Sequence, residues 1–162
     1  MKMLSEIIKN ELADYLTLHY FPSLCIEREG VSQPVSAYST AAVPALTELD
    51  AGFSETVVKM ALSRYEKDSD FYLRANLTRQ TFNIMKQHPE YLPTRQTAFA
   101  CAIGLQLGLD ETRDLLARAG YAISHSSRMD VIIEYFIRSG EYDIQKINEA
   151  LYDYDQPLLG NY

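Results

Sequence analysis

Apolar positions in this chain recur at spacings of three and four, in short runs broken by turn residues. That period predicts helices, and no run alternates with the period of two that a strand requires. Leu4 to His19 predicts the first helix, with Leu4, Ile7, Ile8, Glu11, Leu12, Tyr15 and Leu16 at helical spacing, Ser5 as cap and Phe21-Pro22 as its end. Ser54 is expected to cap the next, with Val57, Val58, Ala61, Leu62 and Tyr65 on its apolar side. Ser69 or Asp70 then caps a short helix over 70–75, and Asn76-Leu77 makes a tight turn. Thr78 caps a helix reaching about Gln87, on which Phe82 and Met85 share a face. His88-Pro89 breaks the pattern.

Thr94 caps a helix read as 94–107, apolar nearly all round from Ala98 to Leu105 and therefore central, with Gly108 closing it. Helices over 110–119, stopped by Gly120, and over 128–139, capped by Ser126 or Ser127 and stopped by Gly140, follow. In the second of these, Val131, Ile132, Tyr135 and Phe136 face inward. Asp143 starts a last helix to about Tyr152, ahead of an acidic, aromatic tail. The fold class is all-α, with about eight helices. Pro22 to Asp50 is the irregular part, with a short helical turn near Pro44 to Leu49. The expected organisation is an N-terminal helix plus irregular connection over 1–53 and a compact helical domain over 54–162. No repeat of 20–50 residues is visible.

The stretch RANLTRQTFNIMK, then Pro93-Thr94, then AFACAIGLQLGLDETRDLL, resembles the Cro/λ-repressor-type helix-turn-helix superfamily over residues 54–118. The points of likeness are a small residue in the second helix (Ala75), a Thr cap (Thr78), an aromatic core position (Phe82), and Leu107-Gly108-Leu109 before an acidic, leucine-containing helix. The resemblance implies a λ-repressor-like bundle with extra N- and C-terminal helices, of bacterial or phage type. It also implies a DNA-reading surface at the start of helix 78–87, made of Thr78, Arg79, Gln80, Asn83 and Ile84, with Lys86 and Arg95 at phosphates. Arginine suits guanine O6/N7 and glutamine suits adenine N6/N7, whereas Ile84 is an apolar departure at a groove-facing position. More loosely, Tyr72 to Leu159 is similar to an uncharacterised helical module fused to other domains in bacterial proteins, which implies no chemistry.

Charge changes this picture. The net charge is −7, but residues 1–53 and 127–162 each carry −4, whereas residues 54–126 carry +1. DNA-binding domains place a basic stripe against phosphates. Its absence favours a protein partner or self-association over DNA. Twelve tyrosines and no tryptophan point the same way, because tyrosine buries area while keeping a polar tip. Tyr152, Tyr154, Leu158, Leu159 and Tyr162 form the expected partner-binding tail.

No apolar run approaches the ~20 residues that span a bilayer, and MKMLSEIIKNEL lacks a signal-peptide apolar stretch. A cytoplasmic location is the expectation, with no membrane contact. Cys25 and Cys101 are too few for a disulfide scaffold. Cys101 reads as a buried thiol, and Cys25 has only Arg28 nearby to activate it.

Catalytic signals are weak. His19, His88 and His125 have no metal-ligand spacing, and neither phosphate-binding glycine motif occurs. Ser124-His125-Ser126 with Asp130 has triad residue types, yet sequence neighbours rarely reach triad geometry. Asp153 and Asp155 read as a solvated acidic tail. No catalytic residue, metal or cofactor is expected. The sequence supports a non-catalytic regulatory or adaptor protein, with a sequence-specific DNA-binding regulator as the alternative.

Overall fold

A computed structural model describes residues 4–22 and 51–160 of the chain. Of the connection expected over Pro22 to Asp50, residues 23–50 lie outside the described residues, as do its helical turn near Pro44–Leu49, Cys25 and Tyr162. Among those described there are eight helices and no strand: α1 Glu6–His19, α2 Phe53–Arg64, α3 Asp68–Arg74, α4 Arg79–Gln87, α5 Arg95–Gly104, α6 Leu109–Arg118, α7 Arg128–Arg138 and α8 Ile144–Asp153. The all-α class read from the periodicity is the class observed.

Helix starts follow side-chain caps. The hydroxyls of Ser5, Thr78, Thr94 and Ser127 accept from the backbone N–H three residues on, and the Asp143 carboxylate accepts from Gln145 N. Each satisfies one of the donors that a helix leaves orphaned at its start. Three expected boundaries move. Gly52 caps α2, and Ser54 lies inside that helix with its hydroxyl buried against Tyr91 O at 2.6 Å. Lys67 precedes α3, which has no side-chain cap, so neither Ser69 nor Asp70 plays that part. Gly108 does not close α5. It is the N-cap of α6, where its N–H donates to the Glu111 carboxylate at 3.1 Å.

Helix ends share one backbone device. After α3, α5, α6, α7 and α8 the chain places a left-handed residue, and the next N–H reaches back five positions. The pairs are Leu77 to Tyr72, Leu107 to Ala102, Tyr121 to Leu116, Glu141 to Phe136 and Gln156 to Leu151. This is the Schellman arrangement. Glycine supplies the left-handed residue only at Gly120 and Gly140; Asn76, Gln106 and Asp155 take φ values of 52–54° instead. Gln106 explains why α5 stops short of Gly108.

Helix α5 is the centre. Every residue from Thr97 to Gly104 is buried, and α5 packs on α3, α6 and α8. Its closest approach is to the end of α3, where a Cβ on Gly104 would lie 2.6 Å from Ala75 Cβ. The small residue singled out at position 75 is thus matched by the absence of a side chain at 104. The carbonyls at the α5 end accept from Tyr65 OH (Gly104 O, 2.6 Å), the Arg64 guanidinium (Leu105 O) and Tyr142 OH (Leu107 O, 2.8 Å).

Helix α7 is equally enclosed, with Met129 to Ile137 buried, including Asp130 and Glu134. Helix α1 packs on α7, and Leu4, Leu12 and Leu16 join the same core as the other helices. Ile7 and Leu62, expected on apolar faces, are exposed.

Candidate binding surface on helix α4

Helix α4 is held from one side. Thr81, Phe82 and Met85 are buried, and the Phe82 ring packs at a tilt of 58° against Phe71 of α3 with ring centres 5.1 Å apart. Thr78 and Thr81 hydroxyls pair at 2.9 Å, so the cap is fixed as well as present. On the other side Arg79 and Gln80 are exposed, and Asn83 and Ile84 are half-buried. Residues 79, 80, 83 and 84 fall along one stripe of a helix with 3.6 residues per turn. Among the described residues no hydrogen bond or ion pair engages the side chains of Arg79, Gln80 or Asn83. The helix therefore offers a guanidinium, two amides and an aliphatic group on a rigid support.

The two cations expected at phosphates are not comparably free. Lys86 pairs with Asp68 of α3 and lies 5.2 Å from the Phe82 ring centre. Arg95 is partly exposed, but its charge is already engaged. Its guanidinium forks onto the Asp130 carboxylate, donates to Ala122 O at 2.7 Å, and sits over the rings of Phe99 and Tyr121. Asp130, fully buried, also takes Ser127 OH at 3.0 Å and Ser124 N–H at 2.8 Å. A buried carboxylate demands such a partner, because desolvation without compensation costs several kcal/mol. Arg95 is thus a structural residue rather than a phosphate contact.

The expected tail surface also changes. Tyr152 is 74% exposed. Tyr154 and Leu158 are half-buried and pack against the core. Leu159 is fully buried, so it is not offered to a partner. Its N–H donates to Asn148 Oδ1 at 2.7 Å, and its carbonyl accepts from Asn148 Nδ2 at 3.2 Å and Asn76 Nδ2 at 3.1 Å. Ordering each backbone residue costs about 1–2 kcal/mol. Burying one leucine returns about 1.5–3 kcal/mol, and each hydrogen bond adds on the order of 1 kcal/mol. Leu159 and its three hydrogen bonds thus offset much of the cost of ordering segment 156–160.

The triad residue types do not assemble. Asp130 serves Arg95, while His125 turns to Glu134 at 2.8 Å. The buried Glu134 carboxylate also accepts from Arg138 Nε at 2.8 Å and Tyr15 OH at 3.2 Å. Burial alone would raise its pKa, but hydrogen bonds from His125, Arg138 and Tyr15 outweigh that and hold it below the ordinary carboxylate value. The Tyr15 hydroxyl is pushed up by burial and by the Glu134 charge. Nearby, Tyr135 OH donates to Glu11 at 2.9 Å, and Phe21 N–H to His125 O at 2.9 Å. The cluster fastens α1 to α7. Sequence reasoning passed over Glu134 because its partners lie four, nine and 119 residues away.

Asp153 pairs with Lys9 at 3.2 Å. No group of three metal-ligating side chains occurs among the described residues. A concavity of about 700 Å3 lies where α3 meets the α7–α8 turn, lined in part by Leu73, Arg74, Gln106, Glu141 and Asp143. It brings together no nucleophile with a base. No described helix is long and apolar enough to cross a membrane. The chain matches no protein-family model, no curated protein and no solved structure.

Proposed function

We propose that this chain is a non-catalytic regulatory or adaptor protein that binds a macromolecular partner through the outer face of α4, with α3, its turn and α4 working as a helix-turn-helix of the Cro/λ-repressor type. The observation that supports this most is the stripe of Arg79, Gln80, Asn83 and Ile84, unengaged on one side of a helix anchored by Phe82 and Met85 on the other. A protein partner fits better than a nucleic acid. Lys86 and Arg95 are already matched by Asp68 and Asp130, which leaves Arg79 as the one cation of the family-implied set without a carboxylate partner among the described residues. Ile84 supplies the apolar contact that a protein interface uses. Exposed Tyr152 on α8 is a second contact of the kind enriched at interfaces.

DNA reading is the alternative, and the adjacent Arg79 and Gln80 at the start of α4 favour it. A titration of mixed-sequence duplex DNA at about 50 mM and then about 200 mM salt separates the two, because phosphate contacts weaken steeply with salt. Absence of binding at the lower salt removes the DNA reading. For the adaptor reading, a partner recovered with the wild-type protein should be lost by the Arg79→Ala, Ile84→Ala double variant with its helical circular dichroism unchanged. Retention of that partner would remove the α4 face from the proposal.

A further inference from the structure

The end of the described chain is recognised as a ligand would be. One side-chain amide, that of Asn148, reads both backbone groups of Leu159, and Asn148 is itself 5% exposed. The Leu159 side chain is sealed inside. Asn76, 83 residues away in sequence, adds a third bond to the same carbonyl. The next residue has to be glycine. Gly160 has φ +94°, and a Cβ there would stand 2.2 Å from Asn76 O and 2.8 Å from Asn76 Nδ2. The cleft between α8 and the α3–α4 turn thus selects a leucine with free backbone groups followed by a glycine.

Its position matters as much as its selectivity. Asn76 is the left-handed residue that ends α3, and it lies two residues before the Thr78 cap of α4. The tail therefore touches the backbone hinge on which α4 is mounted. We infer that this cleft is a receptor for a bent Leu-Gly segment, that the chain's own residues 159–160 are its occupant, and that their seating is a latch ordering the α3–α4 turn. Coupling of this kind is reciprocal: an event that releases the tail loosens the turn, and an event that reshapes the turn weakens the hold on the tail.

The test is amide hydrogen exchange on the full chain. The Asn76 and Leu77 amides, bonded to Leu73 O and Tyr72 O, report the turn. Amides of Ala100 to Ile103 in α5 report the core. In Leu159→Ala, the turn amides should exchange about tenfold faster while the α5 amides keep their protection. A free peptide of sequence QPLLGN, added to that variant, should restore turn protection, and QPLAGN should not. Should Leu159→Ala lose its cooperative fold, Gly160→Ala carries the same comparison with every core side chain in place. Turn exchange equal to wild type, equal acceleration in α5, or failure of QPLLGN to restore protection would each overturn the latch.

Discussion

Gly104→Ala puts the packing that positions α4 to a direct test. The added methyl would stand 2.6 Å from Ala75 Cβ, 3.0 Å from Ala75 Cα and 3.1 Å from Ala75 N. All three atoms belong to backbone or are fixed to it, so no side chain can swing aside and α3 has to shift against α5. Overpacking of this sort costs about 1–3 kcal/mol. Alanine's better helix propensity offsets less than its full ~1 kcal/mol, because residue 104 is the last of α5. The net expectation is a loss of about 1–2 kcal/mol, or roughly 2–8 °C in melting temperature for a chain of this size. Thermal melts followed by circular dichroism and urea midpoints read it out. Gly108→Ala is the control. A Cβ there meets nothing closer than Glu111 Oε2 at 3.9 Å, so its cost should stay below about 1 kcal/mol. Adding Ala75→Gly to Gly104→Ala removes the 2.6 Å contact and should recover part of the loss as a favourable coupling in a double-mutant cycle. Wild-type stability for Gly104→Ala, or zero coupling with position 75, would refute the close crossing of α3 and α5.

Two further outcomes follow from the buried carboxylates. Arg95→Ala leaves Asp130 with only its Ser124 and Ser127 donors, so it should cost about 2–3 kcal/mol in urea unfolding, toward the low end for a broken buried pair because Arg95 is partly exposed. Glu134→Gln should cost about 1–3 kcal/mol at pH 7, and the cost should be pH-dependent. The folded-state pKa of Glu134 lies below its ordinary 4.5, so the carboxylate's contribution is complete above that value and is lost as pH falls through the folded one. Wild type and Glu134→Gln should differ most near neutrality and converge in acid, as urea midpoints measured across that range will show.

Local signals in the chain carried their meaning well. Thr78, Thr94, Ser127 and Asp143 cap helices as their side chains dictate, and the run from Ala98 to Ile103 is buried as an all-round apolar helix should be. What stayed hidden depends on partners far along the chain. Asp130 and Glu134 look like solvent-facing acids on α7 until Arg95, Tyr15 and His125 arrive from other elements. Gln106 gives no sign of a helix end, because a left-handed glutamine is uncommon. Leu159 reads as part of a partner-binding tail, yet its side chain is buried and Asn148 and Asn76 hold its backbone. The residues of the α4 stripe were named through the resemblance to the helix-turn-helix superfamily, and helical spacing puts Arg79, Gln80, Asn83 and Ile84 along one side. The neutralisation of Lys86 and Arg95 was not visible, since it is set by tertiary neighbours.

The thiol of Cys101 gains a practical meaning from its place in α5. It is wholly enclosed, and burial pushes its pKa far above that of a free cysteine, so the reactive thiolate is suppressed as well as shielded. A modifying reagent reaches this sulfur when the helices around it part together. Loosening confined to the turn before α4 leaves it shut in. The molecule thus carries its own gauge, one that distinguishes a small local opening from the collapse of the whole bundle.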